Sequence, residues 1–165
     1  MNAPTPINIL FLCAGNSCRS VLAEATFNHL APPGWQALSA GSQPTGKVHP
    51  RSLALLASEG ILTEGLYSKS WDALPVTPDI VVTVCASAAG ETCPAYLGPA
   101  VRAHWGVEDP AHATGTDKEI DAAFEHTYRV LRARIEAFLA LPLDELKRDR
   151  NRLKLELDRI GSLSA

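Results

Sequence analysis

The 165-residue sequence contains no apolar run long enough to span a membrane. Its opening, Met1-Asn2-Ala3-Pro4-Thr5-Pro6, lacks the charged and apolar regions of a signal peptide. A cytoplasmic location is therefore the expectation, with no membrane partner. The formal net charge of −3 leaves no basic footprint for nucleic acid. Only four cysteines occur, Cys13, Cys18, Cys85 and Cys93, and their x4 and x7 spacings do not follow the Cys-x2-Cys grammar of zinc sites. No metal site is expected, and in a reducing compartment a disulfide among these cysteines is catalytic more often than structural. There is no Gly-x4-Gly-Lys-Ser/Thr, so a nucleotide-binding P-loop is excluded, and no repeat or low-complexity segment appears. What remains is an ordinary globular composition, 46% hydrophobic and 20% charged, at a length suited to one domain.

The residues that carry chemistry stand near the start. An apolar, strand-like run, Ile7-Asn8-Ile9-Leu10-Phe11-Leu12, leads into Cys13-Ala14-Gly15-Asn16-Ser17-Cys18-Arg19-Ser20. A helical pattern follows, with Ala23, Phe27 and Leu30 at i, i+4 and i+7. Backbone N–H groups in a strand–loop–helix turn of this kind converge on one point, and the helix N-terminus adds positive potential there. Arg19 supplies a planar fork for two oxygens of a tetrahedral oxyanion. The same field favours a thiolate, the nucleophilic form of cysteine. The segment therefore reads as an oxyanion cradle, Ala14 to Ser20, with Cys13 as the attacking sulfur at its base. Gly15 and Asn16 tolerate the positive φ of a tight turn, and Ser20 is placed to cap the helix and to donate toward Cys13. A free cysteine is more commonly a small buried hydrophobe, but the surrounding loop counts against that reading.

Further along, Trp35–Ala40 forms a short strand stopped by Gly41, and Pro50 opens a helix ending near Gly60. Residues 61–78 read as irregular, with a helical turn at Trp71–Leu74. Ile80–Val84 is the clearest strand and delivers Cys85 at its end; Ala100–Trp105 is a fourth strand, with Asp109-Pro110 in the loop beyond. Ile120, Phe124, Tyr128, Leu131, Ile135 and Phe138 mark a strong amphipathic helix. Strands alternating with helices argue a parallel α/β sheet whose ligands bind at the carboxyl ends of the strands, where Cys13, Cys85 and Asp109 fall. Residues 1–142 read as one catalytic α/β domain and 143–165 as a charged helical C-terminal extension. Six Lys/Arg and five Asp/Glu crowd Asp144–Ala165, while Leu143, Leu146, Arg150, Leu153, Leu157 and Ile160 follow heptad spacing with one charged exception. Such a run is short for a coiled coil, so a monomer is favoured over a dimer.

Taken in order, Cys13–Ser20, Ser39-Ala40-Gly41, Ser68-Lys69-Ser70-Trp71, Val82–Cys85, Cys93-Pro94, His104-Trp105-Gly106 and Asp109-Pro110 resemble the low-molecular-weight protein tyrosine phosphatase superfamily, and within it the bacterial arsenate reductase branch. The likeness covers roughly residues 7–140. It implies a flavodoxin-like fold with a four-stranded parallel sheet and flanking helices. It also implies that Cys13 attacks the central atom of the oxyanion, that Arg19 and the loop amides stabilise its oxygens, and that Asp109 protonates the departing oxygen. In a reductase, Cys85 would then attack Cys13 and release arsenite. Cys93 would attack Cys85 in turn and carry the disulfide outward. The implied substrate is arsenate, with phosphate and sulfate as analogues; no tightly bound cofactor is implied. Thioredoxin suits the final disulfide as electron donor, and glutathione with glutaredoxin is the other candidate. Asn16, Glu24 and Ser39 match potassium-binding positions of some reductases, but the further aspartate is not evident where Ser68-Lys69-Ser70 stands, which counts against potassium dependence. Cys18 could pair protectively with Cys13, as in related phosphatases, or be structural; the second reading is preferred.

Two other functions compete. A phosphatase acting on phosphotyrosine would place aromatic residues after Asp109-Pro110, but Ala111 and His112 follow. A non-catalytic anion or redox sensor would retain the loop, yet gives no reason for Asp109 together with Cys85 and Cys93.

Overall fold

The computed structural model describes residues 6–85 and 99–162. Four strands form one sheet: β1 (Ile7–Cys13), β2 (Trp35–Gly41), β3 (Ile80–Thr83) and β4 (Val101–His104). All neighbours are parallel and the order is β2-β1-β3-β4. That order belongs to the flavodoxin-like arrangement, in which the chain reverses its direction of winding between β1 and β3 and leaves a crevice at their carboxyl ends. The helices are α1 (Arg19–Leu30), α2 (Pro50–Ser58), α3 (Asp117–Leu139), α4 (Leu143–Leu146) and α5 (Arg150–Gly161).

The central strand is apolar on both sides because both sides are covered. Ile9 and Phe11 of β1 face a core built with α1, α3 and α5, while Leu10 and Leu12 join Leu38, Ala40 and Val81 under Trp71 and Leu74. An aromatic group, Phe11, Phe27, Trp35, Trp105 and Phe138, locks the first core. Helix α3 starts three residues before its first apolar landmark. Thr116 and Glu119 form a reciprocal capping box there, each side chain bonding the other's backbone N–H.

The expected fourth strand ends one residue early. Trp105 still donates its backbone N–H to the Thr83 carbonyl at 2.7 Å, but its side chain enters the core, where the indole N–H donates to the Leu157 carbonyl over 2.9 Å. The C-terminal heptad seam has a different use from an intermolecular one. Leu143, Leu146, Leu153, Leu157 and Ile160 are all buried in the main core of this chain, and only Arg150 of the seam faces solvent. Helix α5 lies so close to β4 that a Cβ on Gly161 would stand 2.3 Å from the His104 carbonyl oxygen. No described helix is long and apolar enough to cross a membrane.

If α5 belongs to the core, Leu157→Ala costs about 2–5 kcal/mol of unfolding free energy. Leu155→Ala, on the exposed side of the helix, changes it by less than about 0.5 kcal/mol. Urea denaturation of both variants checks this; small effects from both would mark α5 as a detachable tail.

Candidate active site

The loop between β1 and α1 is shaped from outside. The carbonyls of Cys13, Ala14, Gly15 and Ser17 accept hydrogen bonds from the backbone N–H groups of Ser42, Gln43, Thr45 and His49, at 2.9–3.2 Å. Because a peptide's C=O and N–H point in opposite directions, these bonds turn the N–H groups of Ala14, Gly15, Asn16 and Cys18 toward the loop interior. The Asn16 N–H does point inward, donating to the Cys13 sulfur over 3.3 Å. Gly41 permits the close approach: a Cβ there would lie 2.3 Å from the Ala14 carbonyl oxygen.

Two local expectations change. Of Gly15 and Asn16, only Asn16 has positive φ, at 47°. Ser20 does not cap α1: Cys18 is the N-cap residue and makes no side-chain capping bond. Ser20 instead lies within the first turn, fully buried, with Oγ 3.0 Å from Cys13 Sγ. Asn16 Nδ2 donates to that same oxygen over 2.8 Å, which leaves the serine proton free for the sulfur. The unoccupied cap keeps the first N–H groups of α1 open to an anion.

Arg19 is 3% exposed. Its Nη1 donates to the Val107 carbonyl at 3.1 Å, and Nη2 lies 3.6 Å from Asp109 Oδ2. The Asp109 segment is held from below as well: Arg134 Nη1 donates to the Gly106 carbonyl at 3.0 Å, and Thr127 Oγ1 reaches the Glu108 carbonyl at 3.5 Å. Asp109 Oδ1 accepts the Ala111 N–H and so caps the short turn Pro110–His112. The turn-starting role and placement beside Arg19 therefore coexist. His112 after the turn is 82% exposed and forms no wall over the loop.

Cys85 is fully buried just past β3 and is disulfide-bonded, whereas Cys13 and Cys18 are free thiols. Pairing Leu12 with Thr83 puts Cys13 beside Val84, and Cys85 one residue further along the neighbouring strand. Cys93 lies outside the described residues. Burial pushes the Cys18 thiol up to about 11, with the nearby Asp109 charge adding to the effect.

Asn16, Glu24 and Ser39 gather around a residue that sequence reasoning noted only as a departure. The Lys69 N–H donates to Asn16 Oδ1 at 2.8 Å, and its ammonium lies 3.8 Å from Glu24 Oε1. Ser39 Oγ donates to that same carboxylate oxygen. Burial raises the Glu24 carboxyl above its usual range, against the pull of Ser39 and Lys69. Burial likewise lowers the Lys69 ammonium, against the pull of Glu24. These residues do not fit a potassium ion: the Asn16 oxygen already accepts a backbone N–H, and the carboxylate already faces a cation.

A cysteine–arginine loop at the crevice of a 2-1-3-4 parallel sheet defines the cysteine-dependent phosphatase class. The chain belongs to the low molecular weight phosphotyrosine protein phosphatase family, whose model it matches over residues 8–152. An arsenate reductase of Halalkalibacterium halodurans is 39% identical over 131 residues, 79% of this chain and 93% of that protein. The solved arsenate reductase of Archaeoglobus fulgidus is 26% identical with a TM-score of 0.63, covering 78% of this chain and 98% of its own. A thioredoxin-dependent arsenate reductase of Corynebacterium glutamicum is 26% identical with a TM-score of 0.52, covering 82% of this chain and 64% of its own.

Two outcomes check this geometry. Gly41→Ala forces the Ala14 peptide to move and costs about 1–3 kcal/mol of stability; urea unfolding measures this, and phosphate titration shows weaker binding. At pH 8 the Cys18 thiol stays protonated, so iodoacetamide leaves it unmodified. Peptide mass spectrometry reads the site directly, and labelling of Cys18 at that pH would contradict its burial.

Proposed function

We propose that this chain is an arsenate reductase working through a three-cysteine relay. The Cys13 sulfur attacks As(V) held by the loop amides and Arg19. Asp109, beside Arg19 at the open side of the loop, protonates the oxygen that leaves as water. Cys85 then attacks the Cys13 sulfur; the S–As bond breaks, its electron pair stays on arsenic, and arsenite departs as As(III). Two thiols have become the Cys13–Cys85 disulfide. Cys93 attacks Cys85, frees Cys13 and leaves a Cys85–Cys93 disulfide for an external dithiol to reduce.

The observation that carries this reading is Cys85. A hydrolase of this fold needs only water as its second nucleophile, yet here a sulfur is buried at the adjacent strand end. The relatives named above are arsenate reductases, and one is thioredoxin-dependent. Thioredoxin is therefore the first choice of donor, and glutathione with glutaredoxin the second. Either donor places the cycle in the reducing cytoplasm. With the α5 seam buried in its own core, the working unit in this reading is a monomer. Residual phosphatase activity is compatible with the first step, although Ala111 and His112 give an aryl ring nothing to pack on.

The decisive assay follows arsenate-dependent NADPH consumption with each donor system separately, beside hydrolysis of p-nitrophenyl phosphate. Turnover is expected with thioredoxin and its reductase. Robust hydrolysis without arsenate-dependent turnover in either system would establish the phosphatase instead. Cys93→Ser completes one turnover and stops, releasing about one arsenite per chain in rapid-quench measurement; sustained turnover would refute the relay.

A further inference from the structure

We propose that Lys69 is a positioning residue of the oxyanion loop: its ammonium gives the Glu24 carboxylate a built-in cation, so the loop is braced without a monovalent metal ion. The proposal rests on the reading of Cys13–Ser20 as an oxyanion site, and puts a lysine where some reductases of the branch it resembles bind potassium.

Lys69 is 8% exposed, and its backbone holds two sides of the site. Its N–H donates to Asn16 Oδ1, and its carbonyl accepts the N–H of Gly41 at 2.9 Å, the residue packed against the Ala14 peptide. The adjacent Ser68 Oγ donates to the Gly15 carbonyl at 3.3 Å. The segment 68–70 is thus a clamp over the loop, and its position depends on the anchorage of the Lys69 side chain. That anchorage is the Glu24 carboxylate on α1, together with the Tyr67 carbonyl at 3.2 Å and the Tyr67 ring, whose centroid lies 4.2 Å from Nζ.

A carboxylate this enclosed requires a compensating charge. Ser39 supplies one hydrogen bond to it and Lys69 the positive charge. Without the ammonium, Glu24 would draw in another cation or pull away from Ser39 and the clamp. Either response moves Asn16, and with it the donors aimed at Cys13 and Ser20. A mobile cation would restore what the lysine supplied, and neutralising Glu24 would remove the need for it.

Phosphate titration by calorimetry, in tetramethylammonium or potassium buffers of equal ionic strength, tests this without the redox cycle. Wild-type affinity is expected to be the same in both buffers. Lys69→Met keeps the backbone bonds and much of the stem, and should bind phosphate roughly tenfold more weakly in tetramethylammonium, a typical size for coupling within one network. Potassium should recover part of that loss, and Lys69→Met with Glu24→Gln should bind nearly as wild type in both buffers. Circular dichroism confirms folding. If Lys69→Met alone does not fold, the double variant decides: near-wild-type affinity supports charge compensation, and a tenfold loss overturns it. The proposal also fails if the wild type responds to potassium, if Lys69→Met matches wild type in tetramethylammonium, or if neither potassium nor Glu24→Gln changes its loss. A wild-type protein that binds no phosphate would overturn the loop reading itself, and this proposal with it; failures confined to the variants leave that reading standing.

Discussion

Asn16 is fully buried in a left-handed conformation, and three hydrogen bonds hold it there. Its N–H points at Cys13 Sγ, its Nδ2 at Ser20 Oγ, and its Oδ1 accepts from the Lys69 backbone. A non-glycine residue in this conformation costs about 1–2 kcal/mol, and a buried amide left without partners about 1–3 kcal/mol more. With all three bonds made, both costs are offset, and strand end, first helical turn and the 68–70 clamp are fixed to one another. The orientation of the amide follows, because a backbone N–H can only donate and so must meet the oxygen. That in turn leaves the Ser20 proton for the sulfur. The surroundings of the Cys13 sulfur are therefore set by a residue that bears no charge.

The sheet does the rest of the positioning. In a parallel 2-1-3-4 sheet, β1 and β3 are neighbours whose connections leave in opposite directions, so their carboxyl ends open a crevice. Cys13 ends β1 at that opening, and Cys85 follows β3 two residues past its last paired position, Thr83. Arg19, Thr127 and Arg134 reach the carbonyls of residues 106–108 from α1 and α3. The loop bearing Asp109 is thus held by helices that are themselves fixed by the aromatic core.

Much of this could be read along the chain because it is local. Ile7–Leu12 and Ile80–Val84 announce strands by continuous apolar character, Pro50 announces a helix start, and the cysteine–arginine spacing announces the anion loop. Thr116 and Glu119 carry a capping signal as well, just ahead of Ile120, the first residue of the apolar pattern. What was not legible depends on partners far apart in sequence. Of the two tasks the sequence allows Ser20, the bond to the Cys13 sulfur is realised and the cap is not, because the Asn16 amide, which no local pattern places there, holds the hydroxyl. Lys69 read as a missing aspartate, since nothing local shows that its ammonium meets Glu24, forty-five positions earlier. The C-terminal seam is too short to favour a coiled coil, but heptad spacing alone does not say which surface covers it; that surface is the main core of the same chain.

In the proposed mechanism the choice between hydrolysis and reduction turns on which nucleophile reaches Cys13 after the first step, since cradle, arginine and aspartate would serve both. Water is abundant and small, and a site that excludes it imperfectly will hydrolyse. A thiol competes only if it is already at hand, and Cys85 stands at the adjacent strand end by virtue of the sheet register. Cys18 is nearer in sequence but poorly suited: burial and the Asp109 charge keep it protonated, and thiol exchange proceeds through the thiolate. The two loop cysteines therefore differ in environment: Cys13 receives the Asn16 N–H and lies beside Ser20 Oγ, whereas burial and the Asp109 charge weigh on Cys18. Attack from the neighbouring strand has a further consequence. In the proposed relay a disulfide formed there would lie inside the crevice, out of reach of a protein reductant, which is the physical reason the proposal includes a third sulfur. Cys13 and Cys85 are both buried, so the proposed cycle turns over only if that third thiol, assigned to Cys93, hands the oxidation on to an external dithiol.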